Sequence, residues 1–458
     1  MENNAQLKKS LGVMAAMSIV VGCVIGAGVF FKPASIFAQT GGAPGMGMLA
    51  WIIGGLASLL GALTFAEVAV MIPKTGGMVA YLSDAFHEKL GYLAGWMQVV
   101  IMYPAFLAGY GITVGNELTA LLGLSPAFQL PIAIALFMIL VAANSLGSKA
   151  AGNIQLVSTI CKLIPLFILM VFGFILGSGE NPVFTPMVGE GKNTGAVLGS
   201  TLLAVLFAFE GWTNVGTIAG EMKNPGKDMP RAIVGGVSII MAVYFIINLA
   251  MLWVMPAEEM AALNYEGAPS VASVAATRLF GDFGGTLVTI GIIISVIGAA
   301  NGFMLSGSRV VYHMADTKTL PGSAFLSKLN NKQVPTNSIL LVSIIATLYC
   351  FIGKLNLIEG MTTFDLLTNL AVFSCWIFYT LTFASVIRLR KIMPNAERKY
   401  KVPLYPVVPL IAIASGLYVV VSQLFLDSMQ TTIISLCSIG ITLLGLPVYM
   451  LVKKKAAK

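Results

Sequence analysis

Charge is the scarcest property of this sequence. Only 10% of its 458 residues are Asp, Glu, Lys or Arg, against about 25% in ordinary soluble domains. A soluble chain of this length would divide into several domains, each needing a polar surface. The charge to cover those surfaces is missing, which excludes a soluble enzyme, a disordered protein and a nucleic-acid binder. Histidine is nearly absent too. His87 and His313 are the only two, and both fall in connections between apolar runs. No histidine is left inside an apolar run for a proton relay, there is no Ser/His pair, and no cofactor is expected. The five cysteines (Cys23, Cys161, Cys350, Cys375 and Cys437) all lie in apolar segments, without metal-ligand spacing. None sits in an outside loop where an oxidising compartment would pair it. No cleavable signal peptide is apparent, because the first apolar run is too long for an h-region and is retained as a span.

What the chain does have is apolar length. Hydrophobic residues make up 57% of it, and about 20 of them in a row cross a 30 Å hydrocarbon core as a helix. Twelve such segments can be read, near residues 11–37, 47–71, 92–116, 129–146, 154–177, 197–219, 232–255, 284–306, 337–353, 363–387, 405–426 and 432–452. The expected fold class is therefore an all-α membrane protein with 12 transmembrane helices. Lysine and arginine are distributed unevenly about these spans. Lys192, Arg278 and Lys354 fall on one face, Lys32 and Lys162 within spans, and the remaining 22 of the 27 on the other face. The positive-inside rule puts that basic face, and both termini, in the cytoplasm. The basic tail at residues 453–458 then reads as a topology anchor rather than a nucleic-acid patch.

Two spans carry residues that a continuous helix would not favour. Span 1 contains Gly22, Gly26 and Gly28 within seven residues, and glycine weakens a helix by about 1 kcal/mol relative to alanine. Span 6 gathers Glu210, Gly211, Thr213 and Asn214 near its middle. Close packing through a small-xxx-small face explains the first cluster alone. The second cluster points instead to broken backbone, which a membrane tolerates only where it lines a cavity or is buried in protein. Paired breaks at matching depths mark the substrate site of a transporter. Spans 1–5 and 6–10 then form two five-helix repeats. Because five is odd, the repeats are inverted. This divides the chain into residues 1–177, residues 197–387, and residues 405–458 with spans 11, 12 and the tail.

These residues also carry a family resemblance. Residues 20–33 (VVGCVIGAGVFFKP) resemble the first-helix signature of the amino acid–polyamine–organocation superfamily. Residues 207–233 (FAFEGWTNVGTIAGEMKNPGKDMPRAI) resemble the span 6 signature of its L-type amino acid transporter branch. Residues 72–81 (IPKTGGMVAY), 91–96 (GYLAGW) and 401–406 (KVPLYP) fit the same branch. The set is similar in particular to bacterial serine/threonine and alanine-serine-cysteine exchangers. The resemblance implies a LeuT-like 5+5 inverted-repeat fold with helices 1 and 6 broken. It implies sodium-independent exchange of small or medium neutral L-amino acids (Ala, Ser, Thr, Cys) by alternating access in the cell membrane. A proton-coupled amino acid symporter with Lys162 as the titrating group is the alternative.

An α-amino acid is a zwitterion, and a broken helix offers partners for both its charges. Unwinding at Gly26, Ala27 and Gly28 frees N–H groups at the start of a half-helix, which favour a carboxylate. The preceding half-helix ends near Val24 and Ile25 with carbonyls that can accept from an ammonium. The family pattern places the carboxylate on the amides matching Ala27 and Gly28. It places the ammonium on carbonyls matching Val24, Phe207 and Glu210. The common family residue at position 27 is serine, so alanine there removes one hydroxyl donor. Phe207 matches the family's aromatic gate. Trp212, Thr213 and Asn214 would line the distal pocket, with Gly211 beside them at the substrate. The Glu210 side chain reads either as a contact for polar substrates, water or protons, or as a structural partner of Asn214 or nearby backbone.

Lys162 lies about 12 Å into span 5, near the bilayer centre, where a lysine costs about 2.5–3.5 kcal/mol and must face a polar interior. In relatives with lysine in the fifth helix, the ammonium resembles a built-in replacement for a sodium ion held between helices 1, 5 and 8. On the span 8 side its expected partners are backbone carbonyls and polar residues around Ser295 and Asn301. Lys32, one turn past Gly28, reads as facing the outer vestibule or snorkelling, and Glu67 and Asp365 as structural or gating groups. Asn144, Asn248 and Trp376 read as packing or pocket residues. Mammalian light-chain relatives join a glycoprotein by a disulfide from the loop between helices 3 and 4. The matching residues 121–130 (LLGLSPAFQL) hold no cysteine, so no disulfide-linked heavy chain is expected. The expected partners are amino acid substrates and membrane lipid.

Overall fold

The computed structural model of the chain describes residues 12–74, 76–217, 222–353, 361–425 and 428–456. Lys8, Lys9, Lys354 and Lys458 of the charge count lie outside them. Among the described residues eleven helical segments are long and apolar enough to cross a membrane, and there is no strand. The first combines α1 (Val13–Val24) and α2 (Gly28–Thr40). Then come α3 (Pro44–Met71), the short α4 (Met78–Ala85) and α5 (Glu88–Met97). A π-helical turn at Gln98–Met102 runs α5 into α6 (Tyr103–Leu121). α7 (Gln129–Ser145) and α8 (Ser148–Leu176) follow.

The sixth expected span differs from the rest. It is α9 (Thr194–Ala208), then a turn, then the single-turn α10 (Asn214–Thr217), so no continuous helix of membrane length stands there. The second part of the chain holds α11 (Pro225–Val254), α12 (Ala257–Ala262), α13 (Val271–Asp316) and α14 (Ser323–Leu326). It ends with α15 (Thr336–Gly353), α16 (Thr363–Ile392), α17 (Val407–Phe425), α18 (Met429–Leu443) and α19 (Gly445–Ala456). α13 is much longer than the expected 284–306 and leaves helical geometry at Gly281. The last expected span is divided between α18 and α19.

The broken segments lie at the centre. α1 packs on α8, α11 and α13, and α2 packs on α9 and α12. The periphery is apolar: Ile139 of α7, Phe167 of α8 and Val421 of α17 are exposed. In water such faces would aggregate, but hydrocarbon matches them.

One buried carboxylate ties the ends of three elements together. Glu67 of α3 accepts two hydrogen bonds from the Arg390 guanidinium at 2.8 and 2.6 Å, and one from Val402 N at 2.7 Å. Arg398 stands 3.5 Å away and donates to Leu389 O and Met393 O, capping α16. The fork of arginine matches two carboxylate oxygens at once. Glu67 is thus structural. Removing one partner of a fully buried pair costs about 3–5 kcal/mol. Because Arg390 is partly reached by water, Glu67→Ala is expected to cost about 2–3 kcal/mol. A lower unfolding temperature in detergent would show it, and an unchanged one would refute the role.

Candidate functional site

The two breaks face each other. α1 closes its last turn with Ile25 N donating to Val21 O at 2.9 Å, and Ile25 then turns extended at ψ 93°. The amides of Gly26, Ala27 and Gly28 make no backbone hydrogen bond among the described residues. The start of α2 therefore presents orphan donors at the positive end of a helix dipole, a setting for a carboxylate. In the second break Glu210 N donates to Phe207 O at 2.9 Å and Asn214 N to Gly211 O at 3.1 Å. Gly211 has φ +118°, and a Cβ on it would lie 3.0 Å from Cys23 Cβ. A Cβ on Gly28 would lie 2.6 Å from Ala208 Cα. The broken segments thus touch at two points where only glycine fits. Val24, Ile25, Gly26, Ala27, Gly28, Phe207, Glu210, Gly211, Thr213 and Asn214 all come together and all are buried.

A residue that the sequence does not single out holds this crossing. Tyr244 of α11 donates through its hydroxyl to Val24 O at 2.9 Å and Ala208 O at 3.0 Å. One hydroxyl therefore spans the carbonyl ends of both half-helices. The carbonyls of Val24 and Phe207 each already accept one hydrogen bond, and each keeps a second lone pair. Tyr110 of α6 also borders the first break: a Cβ on Gly26 would lie 3.6 Å from its hydroxyl. The only sequence signal for these tyrosines is general. A tyrosine in an apolar span must place its hydroxyl on a partner.

Glu210 meets α16. Its Oε1 accepts from the Tyr379 hydroxyl at 2.5 Å and from Gly211 N at 3.0 Å. Thr213 Oγ1 lies 3.0 Å from the same hydroxyl. Of the two structural partners open to Glu210 in the sequence, the nearby backbone is the one seen, and Asn214 accepts from the Tyr103 hydroxyl at 3.1 Å. The local reason is the turn after Ala208, which aims successive side chains at different helices. Trp212 packs edge-on to Phe65, and Trp376 edge-on to Tyr379.

Lys162 is completely buried and does not snorkel. Its Nζ donates to Gly22 O at 2.8 Å and Ile25 O at 2.5 Å. Its partners are therefore the carbonyls of the first break rather than span 8. Breaking α1 leaves carbonyls without amide partners, and an ammonium is the strongest donor available to them. Ser295 Oγ shares Ile25 O at 3.3 Å. Asn301 accepts from Asn144 at 2.9 Å and donates to Gln155 at 3.1 Å, so both asparagines are packing links. Asn248 donates to Tyr244 O on its own helix.

Lys32, expected to face the outer vestibule or to snorkel, is buried and walls a small cavity beyond the break. It lies one turn past Gly28 on the same helix face. Its Nζ donates to Asp365 Oδ1 at 2.5 Å and Thr368 Oγ1 at 2.9 Å. The ammonium lies 4.8 Å from the Phe207 ring centre and 5.0 Å from that of Phe364. Phe207 packs edge-on to Phe364 and tilted against Phe106. Asp365 sits in the first turn of α16, where the helix dipole favours a carboxylate and Thr362 caps the helix. Together these groups roof the break above Gly28.

The sequence is similar to those of known proteins. A family model described as amino acid permease matches residues 11–444. The serine/threonine exchanger SteT of Bacillus subtilis (strain 168) is 38% identical over 452 residues, covering 98% of both chains. The human cystine/glutamate transporter is 28% identical, covering 98% of this chain and 86% of its own. The mouse Asc-type amino acid transporter 1 is 28% identical, covering 97% and 81%.

Proposed function

The chain belongs to the amino acid permease family, and on that premise we propose that it is a sodium-independent antiporter of small neutral L-amino acids. It is a multi-pass membrane transporter, not an enzyme. In this reading residues 1–177 and 197–387 are inverted five-helix repeats of a LeuT-like fold that rock about the crossing of the two breaks. Residues 405–458 add the last two spans. Both termini lie in the cytoplasm, as the basic residues favour. The substrate carboxylate takes the free amides of Ala27 and Gly28. Its ammonium takes the open lone pairs of Val24 O, Phe207 O and Glu210 O. Its side chain lies toward Ile25, Gly26, Gly211, Thr213 and Asn214. Relatives described as a serine/threonine exchanger and an Asc-type transporter support serine, threonine, alanine and cysteine as cargo. Residues 121–130 offer no cysteine for a disulfide-linked heavy chain.

The observation that carries the reading is Lys162. Its ammonium is fixed on two carbonyls of the first break, where a coupling cation would otherwise neutralise them. A cationic group supplied by the chain itself needs no sodium gradient, and the returning amino acid drives the cycle. The test is efflux of radiolabelled serine from proteoliposomes into sodium-free buffer at several pH values, with and without external amino acid. Efflux is expected to require external amino acid and to be indifferent to sodium. Uptake that follows an imposed proton gradient would replace exchange by symport through Lys162. Flux of no neutral amino acid would sink the substrate claim.

A further inference from the structure

Two cavities lie beyond the roof over the first break. One, of about 60 Å³, is walled by Phe31, Lys32, Asn116, Phe364 and Asp365. The other, of about 400 Å³, is walled by Ser35, Gln39, Lys192, Asn369, Gln423 and again Asp365. The two partners of the buried pair meet these cavities unequally. The Asp365 side chain keeps 12% of its surface exposed and that of Lys32 only 1%. Lys32 holds Oδ1, and among the described residues no donor bonds Oδ2. The carboxyamide oxygens of Gln39 and Gln423 are buried without a partner in the same wall. A molecule entering from this side meets the more exposed partner of the pair, a carboxylate with one oxygen unbonded. That set suits an ammonium.

We propose that Asp365 is an entry subsite for the ammonium of the incoming amino acid, which opens the roof by displacing Lys32. The two ammonium groups compete for one carboxylate. Once Asp365 is taken, Lys32 is left buried against Phe207 and Phe364 without its counter-charge, a state that buried lysine does not sustain. The closed roof then loses its advantage, and α2 and α16 separate above Gly28. With nothing in the vestibule, Lys32 keeps the pair and the roof stays shut. Opening is thus conditional on an arriving amino acid, which makes flux an exchange and not a leak.

The inference rests on the exchange reading, and the experiment separates the two. Wild type, Lys32→Arg and the double variant Lys32→Gln/Asp365→Asn are reconstituted with radiolabelled serine inside. The double variant removes both charges and leaves none uncompensated. It is expected to release serine about tenfold faster than wild type with no external amino acid. It is also expected to need about tenfold more external serine for half-maximal exchange. Lys32→Arg, whose fork can hold both oxygens of Asp365, is expected to keep release dependent on external amino acid and to raise half-saturation. A double variant that still requires external amino acid, with wild-type half-saturation, would overturn the proposal. Free release by the wild type itself would overturn the exchange reading instead. If the double variant does not insert, Asp365→Glu carries the test through half-saturation. A raised value is expected, and an unchanged value refutes the subsite.

Discussion

Lys162→Met is expected to lower exchange at least about 30-fold per folded molecule. Methionine keeps the length of the stem and removes only the donor. Of the two carbonyls the ammonium holds at 2.8 and 2.5 Å, Gly22 O is then left without a donor in a buried site and Ile25 O keeps only the 3.3 Å contact from Ser295. Each unsatisfied buried polar group costs about 1–3 kcal/mol. With Ile25 O at the low end of that range, the two cost about 2–4 kcal/mol, or roughly 30-fold to 10³-fold in the population of the competent conformation. Water entering the break would keep the loss at the lower end of that range. Size-exclusion profiles would show whether folding survives, and serine exchange in proteoliposomes gives the rate. Near-wild-type exchange by Lys162→Met would mean that these contacts are incidental to transport. Wild-type rates should be equal in sodium and choline buffers, because the carbonyls already have their cation.

The second large effect is expected at Gly211. Alanine there meets two separate penalties. A φ of +118° is strained for any residue with a Cβ, at about 1–3 kcal/mol. The added methyl also presses on Cys23, whose Cβ and carbonyl carbon lie 3.0 and 3.1 Å from the Cβ position. That is backbone of the other broken helix and cannot swing aside, so overpacking adds about 1–3 kcal/mol. Gly211→Ala is expected to lose transport and to unfold at lower temperature in detergent. Gly440→Ala is the control. Nothing lies within 4 Å of its Cβ position and it sits inside α18, so both properties should be unchanged or slightly improved. Equal behaviour of the two variants would dismiss the contact between the breaks.

Much of this architecture is legible in the chain itself. Apolar run length decides that the helices span a membrane, because hydrocarbon thickness sets a length that a sequence must match. The glycines of span 1 and the Glu210–Asn214 cluster locate both breaks to within a few residues, since helix-weakening and polar groups at membrane depth have few other uses. Lys162 could be assigned to a polar interior from its depth alone. Its partners could not. A lysine stem reaches in any direction, and only the packing of α8 on α1 selects Gly22 and Ile25 over Ser295.

The remaining contacts are decided by tertiary structure for the same reason. Lys32 and Asp365 are 333 residues apart, and in the sequence one reads as a vestibule or snorkelling charge and the other as a structural or gating group, with nothing to pair them. Their burial follows from the approach of α2 to the start of α16. Tyr244 and Tyr379 look like ordinary aromatic residues of apolar spans until the fold brings one to both broken helices and the other to Glu210. Sequence periodicity and composition report what a segment does with its own neighbours and with solvent. Which carbonyl meets which hydroxyl depends on how helices far apart in the chain cross, and that is a property of the packed molecule.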